Sequence, residues 1–318
     1  MRRRGRAADP QGGGDGMKLG ILTVPFADLA LMEVADWAAG AGFECLEIAC
    51  WPRTGGEARR YAGTSHLDVT DLPQTQADEI MAALRERGLA VSALGYYPNP
   101  LHPDADRREQ AFTHLRALIA AAARMGVGVV NTFLGGDRNL HWEDNWRRAE
   151  ALFPPLIAEA RDHGVTLAFE NCPMIFSRDE WPGGHNIAYS PRIWRRILEW
   201  DGVGMNFDPS HLVWQMIDIP RFVREFGPRM VHVHAKDVMI DRDGLYENGV
   251  MSLGMGWQVP RMPGLGDVDW AALFSALWQT GYDGPVVIEH EDRVFEGTRD
   301  KLQRGFLLAR DMLRPYVR

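Results

Sequence analysis

Short apolar runs alternate with longer amphipathic stretches along the chain, and the alternation repeats eight times. The runs at 18–24, 43–50, 90–96, 128–133, 166–170, 204–208, 230–235 and 285–289 read as strands. Apolar positions at helical spacing mark the stretches around them, among them 29–41, 74–87, 107–125, 142–163, 191–200, 220–226, 270–280 and 298–313. Four helices run into the next strand through a glycine, at Gly88, Gly126, Gly164 and Gly281, as expected of a helix C-cap. Regular strand–helix alternation makes a parallel sheet with covering helices. Eight such units favour closure into a single (β/α)₈ TIM barrel, an α/β fold, over an open doubly wound sheet. No G-x-G-x-x-G follows the first strand, so a dinucleotide-binding fold loses its main support.

Two connections are long, 51–73 after the second strand and 236–266 after the seventh. Both follow the C-terminal ends of strands, the face on which such barrels build their active sites. Loops of this length in a compact domain usually serve function. The second is rich in Gly, Met and Pro, which suggests a substrate cover or a contact in a homo-oligomer.

Composition narrows the picture. The chain has 318 residues, 46 % hydrophobic and 25 % charged, ordinary for a globular protein with a large core. A net charge of −8 and a pI near 5.7 argue against a nucleic-acid surface. No apolar run approaches the ~18–20 residues a membrane helix needs. Cys45, Cys50 and Cys172 fit neither a disulfide framework nor a zinc motif, and a reducing, cytoplasmic setting is the expectation. Residues 1–16, with Arg2, Arg3, Arg4, Arg6 and a glycine-rich stretch, read as a disordered extension before a catalytic domain at 17–318. A nucleic-acid arm is the alternative for those residues, on four arginines.

The last four strands end in Glu170, Asp208, His234 and Glu289. A strand end on this face points its inward side chain into the barrel mouth, so the four meet in one place. Three carboxylates in contact cannot all stay ionised without a cation. One divalent metal ion resolves that repulsion, and oxygens with one imidazole suit Mn²⁺, the leading candidate, or Mg²⁺, Co²⁺ or Zn²⁺.

The flanking segments are Phe169-Glu170-Asn171, Asn206-Phe207-Asp208-Pro209-Ser210-His211, Val233-His234-Ala235-Lys236-Asp237 and Ile288-Glu289. They resemble the xylose isomerase-like TIM-barrel superfamily (sugar phosphate isomerase/epimerase family), and the resemblance runs over 17–318. Asp-Pro-Ser-His and His-x-Lys-Asp are its most specific parts. For the sugar-epimerase branch it implies one metal on Glu170, Asp208, His234 and Glu289, with Glu170 and Glu289 doubling as acid–base groups. It also implies that His211 contacts substrate oxygens and that Glu47 faces the substrate. A metal bridging a carbonyl and its neighbouring hydroxyl stabilises an enediolate. A carboxylate on each face of the sugar can then remove and return a proton. The expectation is a metal-dependent isomerase or epimerase of a ketose or oxo-sugar, its partner a small sugar or glycoside.

Other residues carry two readings each. Lys236 binds a substrate oxygen or phosphate, or pairs with a loop carboxylate; Glu47 is alternatively a solvated strand end. His232, one layer deeper than His234, reads as a hydrogen-bonded core histidine rather than a ligand. His102, Tyr96, Tyr97 and Asn99 after the third strand, with Trp181 and His185 after the fifth, are pocket-wall candidates, though packing explains each nearly as well. Cys172 lacks a paired base and reads as a small filler. Three rival functions remain. The same site could drive β-elimination from a 3-oxo-glycoside. A three-zinc nuclease of the endonuclease IV type would want more histidines at early strand ends than Glu47-Ile48-Ala49 and Leu94-Gly95-Tyr96 offer. A non-catalytic barrel would be expected to have lost a ligand.

Overall fold

The computed structural model describes residues 16–53, 63–174, 184–250 and 256–317. Trp181 and all of the 1–16 extension except Gly16 lie outside the described residues. Among the described residues there are ten strands: β1 Leu19–Leu22, β2 Cys45–Ala49, β3 Ala90–Gly95, β4 Val129–Thr132, β5 Thr166–Glu170, β6 Val203–Phe207, β7 Met230–Ala235, β8 Asp237–Ile240, β9 Gln258–Arg261 and β10 Val286–Ile288. The helices are α1 Leu31–Gly40, α2 Gln74–Glu86, α3 Ala105–Met125, α4 Trp142–Asp162, α5 Pro191–Ile197, α6 Ser210–Trp214, α7 Ile219–Phe226, α8 Arg242–Asn248, α9 Trp270–Thr280 and α10 Arg299–Leu313.

Strands β1 to β7 pair in sequence order, and β10 closes the circle between β7 and β1, every pair parallel. The chain is a single (β/α)₈ TIM barrel. Its strands are buried from both sides, by the opposite wall and by the helices, which is why they read as continuous apolar runs. Outward residues such as Phe169 and Phe207 meet helix residues Phe153 and Phe222, at ring distances of 5.2 and 5.5 Å. Gly126 and Gly281 take left-handed φ values of 68° and 74° at the ends of α3 and α9, a conformation open to glycine at little cost.

All eight expected barrel strands form. β6 stops at Phe207 and β10 at Ile288, so Asp208 and Glu289 stand one residue beyond their strands. The long 236–266 connection holds more order than its composition suggested. Strands β8 and β9 pair antiparallel, with α8 between them. The excursion is tied shut by Asp237, whose buried carboxylate accepts from the backbone N–H of Val238, Gly264 and Val268 and from the Trp270 indole. The last residue of the His-x-Lys-Asp segment is therefore a structural knot. No helix among the described residues is long and apolar enough to cross a membrane.

Candidate metal centre

Period-two alternation along β7 sends His232, His234 and Lys236 into the barrel, one above another. Asn171, just after β5, clasps the neighbouring strand end: its amide donates to the Asp208 carbonyl and its oxygen accepts the Asp208 N–H, both at 2.7 Å. Asp208 Oδ1 accepts from the Ser210 N–H at 2.8 Å and turns the chain into α6. That leaves Oδ2 for the barrel mouth. The Asn beside Glu170 thus sets the register between two of the acidic residues.

In the mouth, His234 Nδ1 lies 3.1 Å from Glu289 Oε2 and 3.7 Å from Glu170 Oε2. His211 Nε2 lies 3.1 Å from Asp208 Oδ2 and 3.8 Å from Glu170 Oε1. The Lys236 ammonium stands 3.0 Å from Asp208 Oδ2, 3.1 Å from Glu289 Oε2 and 3.3 Å from Glu291 Oε2. Burial raises the cost of each charge, and the neighbours decide the outcome. At Glu289, Lys236 and His234 outweigh burial and hold the carboxyl at about 2. At Glu170, burial and the Glu289 charge push the carboxyl well above its usual range. Burial likewise raises Glu291, while Asp208, against Lys236 and His211, is held low despite burial.

A second polar layer lies beneath. Glu47, wholly buried on β2, accepts from His234 Nε2 at 2.7 Å through Oε2 and from the Tyr97 hydroxyl through Oε1. Asn206 Nδ2 donates to Tyr97 Oη at 3.1 Å, and its oxygen meets His232 Nδ1 at 2.9 Å. His232 Nε2 pairs with Ser92 Oγ at 3.1 Å. Burial pushes His232 down to about 3, so it is a neutral member of this network. Gly95 makes room for it: a Cβ there would strike Glu47 Oε1 and crowd the Tyr97 ring.

The residues in the mouth suit a divalent cation. Asp208 Oδ2, Glu289 Oε2 and His211 Nε2 are buried at the mouth, make no well-formed hydrogen bond, and meet charged neighbours through the ion-pair contacts above. Ligand atoms of Glu170, His234 and Glu289 lie within 4.8 Å of one another. The carboxyls of Glu47, Glu170, Asp208, Glu289 and Glu291 outnumber the groups able to carry positive charge that face them in the contacts above, Lys236, His234 and His211, and the raised pKa values of Glu170 and Glu291 register the excess. Oxygens with one imidazole are a fitting donor set for a divalent cation. His234 would offer Nδ1, because Nε2 is taken by Glu47.

The structure brings Glu170, Asp208, His234, Glu289, His211 and Lys236 together. It puts Glu47 one layer lower, behind His234, with both carboxylate oxygens already engaged, and not open to a substrate as expected. His102 turns elsewhere: its Nδ1 accepts from the Asp104 N–H at 3.0 Å and its carbonyl from Arg108 at 2.7 Å, at the start of α3. Lys236 pairs with carboxylates, as its second reading had it, and with three of them. Tyr96 packs edge-on against His114 at 4.6 Å, whereas Tyr97 belongs to the lower layer. Asn99 bridges to Gly136 and lies 3.4 Å from His185. Sequence reading missed Glu291, although it continues the alternation two residues past Glu289. It also missed Asn206, the inward residue two before Asp208.

Comparison with known proteins agrees with this architecture. The model of the family described as "Xylose isomerase-like TIM barrel" matches residues 35–314. The chain belongs to that family. Among relatives of this xylose isomerase-like barrel, the uncharacterised protein YfiH of Bacillus subtilis (strain 168) is 26 % identical over 299 residues, 87 % of this chain and 93 % of that one. A D-psicose 3-epimerase crystallised in the presence of D-fructose superposes with a TM-score of 0.67 at 16 % identity, covering 94 % of this chain and 99 % of the other. The 3-keto-D-glucoside 4-epimerase YcjR of E. coli gives 0.63 at 18 % identity, covering 93 % and 99 %. At these identities the two structures share the fold.

Proposed function

We propose that this xylose isomerase-like barrel is a divalent-metal-dependent isomerase or epimerase of a ketose or an oxo-sugar, with Glu170, Asp208, His234 and Glu289 as the metal ligands. The observation that carries the reading is the buried cluster at the barrel mouth, in which Glu170, Glu289 and His234 offer ligand atoms within 4.8 Å of one another. The sugar epimerases with the same fold support the substrate class. Mn²⁺ is the proposed ion.

A bound divalent cation supplies positive charge for the oxyanion that develops when hydrogen leaves the carbon beside a carbonyl. The chain's own groups supply the rest. Glu170 and Glu289 are driven to opposite protonation states by their surroundings, the condition for one carboxyl to give a proton while the other takes one. His211, 3.1 Å from Asp208 Oδ2 and 3.8 Å from Glu170 Oε1, would hold a substrate oxygen. Lys236 holds Asp208 and Glu289 in their ionised forms.

The test is NMR-monitored solvent-deuterium exchange across ketoses and 3-oxo-glycosides, with the protein loaded with Mn²⁺. Exchange at the carbon beside the carbonyl, with formation of the epimer or isomer, is the expected result. Release of an aglycone from an oxo-glycoside would reassign the same site to β-elimination. No exchange into any ketose or oxo-sugar would sink the proposal.

A further inference from the structure

The 236–266 excursion carries a small core of its own. Trp214, Val238 and Trp257 form it, with Val213, Ile240 and Leu245 packed against them. Trp257 is 2 % exposed and meets Trp214 edge-on, ring centroids 6.4 Å apart at 79°. Trp214 closes α6 one helical turn after His211, so the two side chains share a face of that helix. Its indole Nε1 donates to His211 Nδ1 at 3.4 Å, with the rings nearly perpendicular at 84°. Gln215 Nε2 donates to the His211 carbonyl at 2.7 Å and steadies the same turn.

An indole N–H can only donate. The imidazole nitrogen facing it must therefore present a lone pair, and the ring N–H is on Nε2. Nε2 is the nitrogen that faces the barrel mouth, 3.1 Å from Asp208 Oδ2 and 3.8 Å from Glu170 Oε1. We infer that Trp214, braced by Trp257 of the β8–β9 excursion, is a positioning residue that fixes His211 as the Nε2–H tautomer and aims that donor into the barrel mouth. The excursion then acts on the site from outside, by holding a histidine. Phenylalanine at 214 would fill much of the same space and supply no donor. The inference rests on the proposed role of His211 only in taking a substrate oxygen as the target.

The test needs no substrate. Long-range ¹H–¹⁵N correlation spectra of the full chain labelled with ¹⁵N-histidine report which ring nitrogen carries hydrogen, and His211→Asn assigns the signal by its loss. The expected wild-type pattern has His211 unprotonated at Nδ1 and protonated at Nε2. Trp214→Phe should raise the share of hydrogen on Nδ1 while leaving Mn²⁺ affinity unchanged, because Trp214 is not itself among the proposed ligands. Should that variant fold poorly, the reciprocal measurement stands: with ¹⁵N-tryptophan, His211→Asn should move the Trp214 indole N–H resonance and speed its solvent exchange. A wild-type His211 protonated at Nδ1 overturns the inference, as does a Trp214 indole signal indifferent to His211→Asn. A wild-type protein that exchanges no ketose or oxo-sugar, yet shows the expected tautomer, refutes the proposed function and leaves the positioning intact.

Discussion

Glu47→Gln tests how the lower polar layer supports the centre above it. Glutamine keeps the size of Glu47 and can still accept from His234 Nε2, since Tyr97 can take either role in a hydrogen bond. What it removes is the charge on a bond inside a wholly buried layer. A hydrogen bond to a charged partner contributes about 1.5–3 kcal/mol and a neutral one about 0.5–1.5, so the exchange weakens the support of His234 by roughly 1–1.5 kcal/mol. At about 1.4 kcal/mol per decade, that is about a tenfold loss of metal affinity. It falls within the roughly 10–100-fold range of partners that orient a ligating histidine. The assay is calorimetric titration of chelator-treated protein with Mn²⁺. It belongs at mildly alkaline pH, because Glu47 also raises the proton affinity of His234 and the two effects offset each other in acid. Wild-type Mn²⁺ affinity in the variant refutes the reasoning. So does unchanged metal affinity with weakened sugar binding, which would return Glu47 to a substrate-facing role.

Glu170→Gln and Glu289→Gln should keep the fold and lose turnover by on the order of 10²-fold or more at matched metal content, the scale for a positioned acid–base group; near-native turnover in either strips that residue of its role. His211→Ala should lower kcat/KM while Mn²⁺ affinity stays near wild type, and a large loss of metal with unchanged kinetics when saturated would contradict this. Glu170 holds its proton well above the usual carboxyl range, so Mn²⁺ binding must expel it. Affinity should therefore fall as pH drops, with a proton released on binding in buffers of differing ionisation enthalpy. Pooled proton counts that do not change in Glu170→Gln would locate the released proton elsewhere.

The barrel was legible because each strand is buried on both faces and each helix on one, which leaves eight repeats of two hydrophobic periods in the chain. The mouth was legible in part for the same reason: alternation along a strand fixes which residues face inward, as at His232, His234 and Lys236. Depth was not legible. Glu47 and Glu289 both look like strand-end carboxylates, and only the barrel's stagger puts one beneath His234 and the other beside it. The β8–β9 excursion was hidden because Asp237, which closes it, reaches residues 27 to 33 positions onward, beyond any local pattern. Trp214, between the expected helices 191–200 and 220–226, carried no signal in the sequence, since its role depends on the direction of one N–H. His102 misled for the opposite reason: a histidine on the right face of the barrel was consumed by a local turn with Asp104 and Arg108.

Anomalous diffraction from crystals grown with Mn²⁺ would locate the ion itself. One strong peak is expected at the barrel mouth, about 2.0–2.3 Å from Glu170, Asp208 and Glu289 oxygens and from His234 Nδ1. A peak lodged instead among Glu47, His232 and His234, a deeper cluster with ligand-like spacing, would contradict it. So would crystals saturated with Mn²⁺ that show no peak between the four residues.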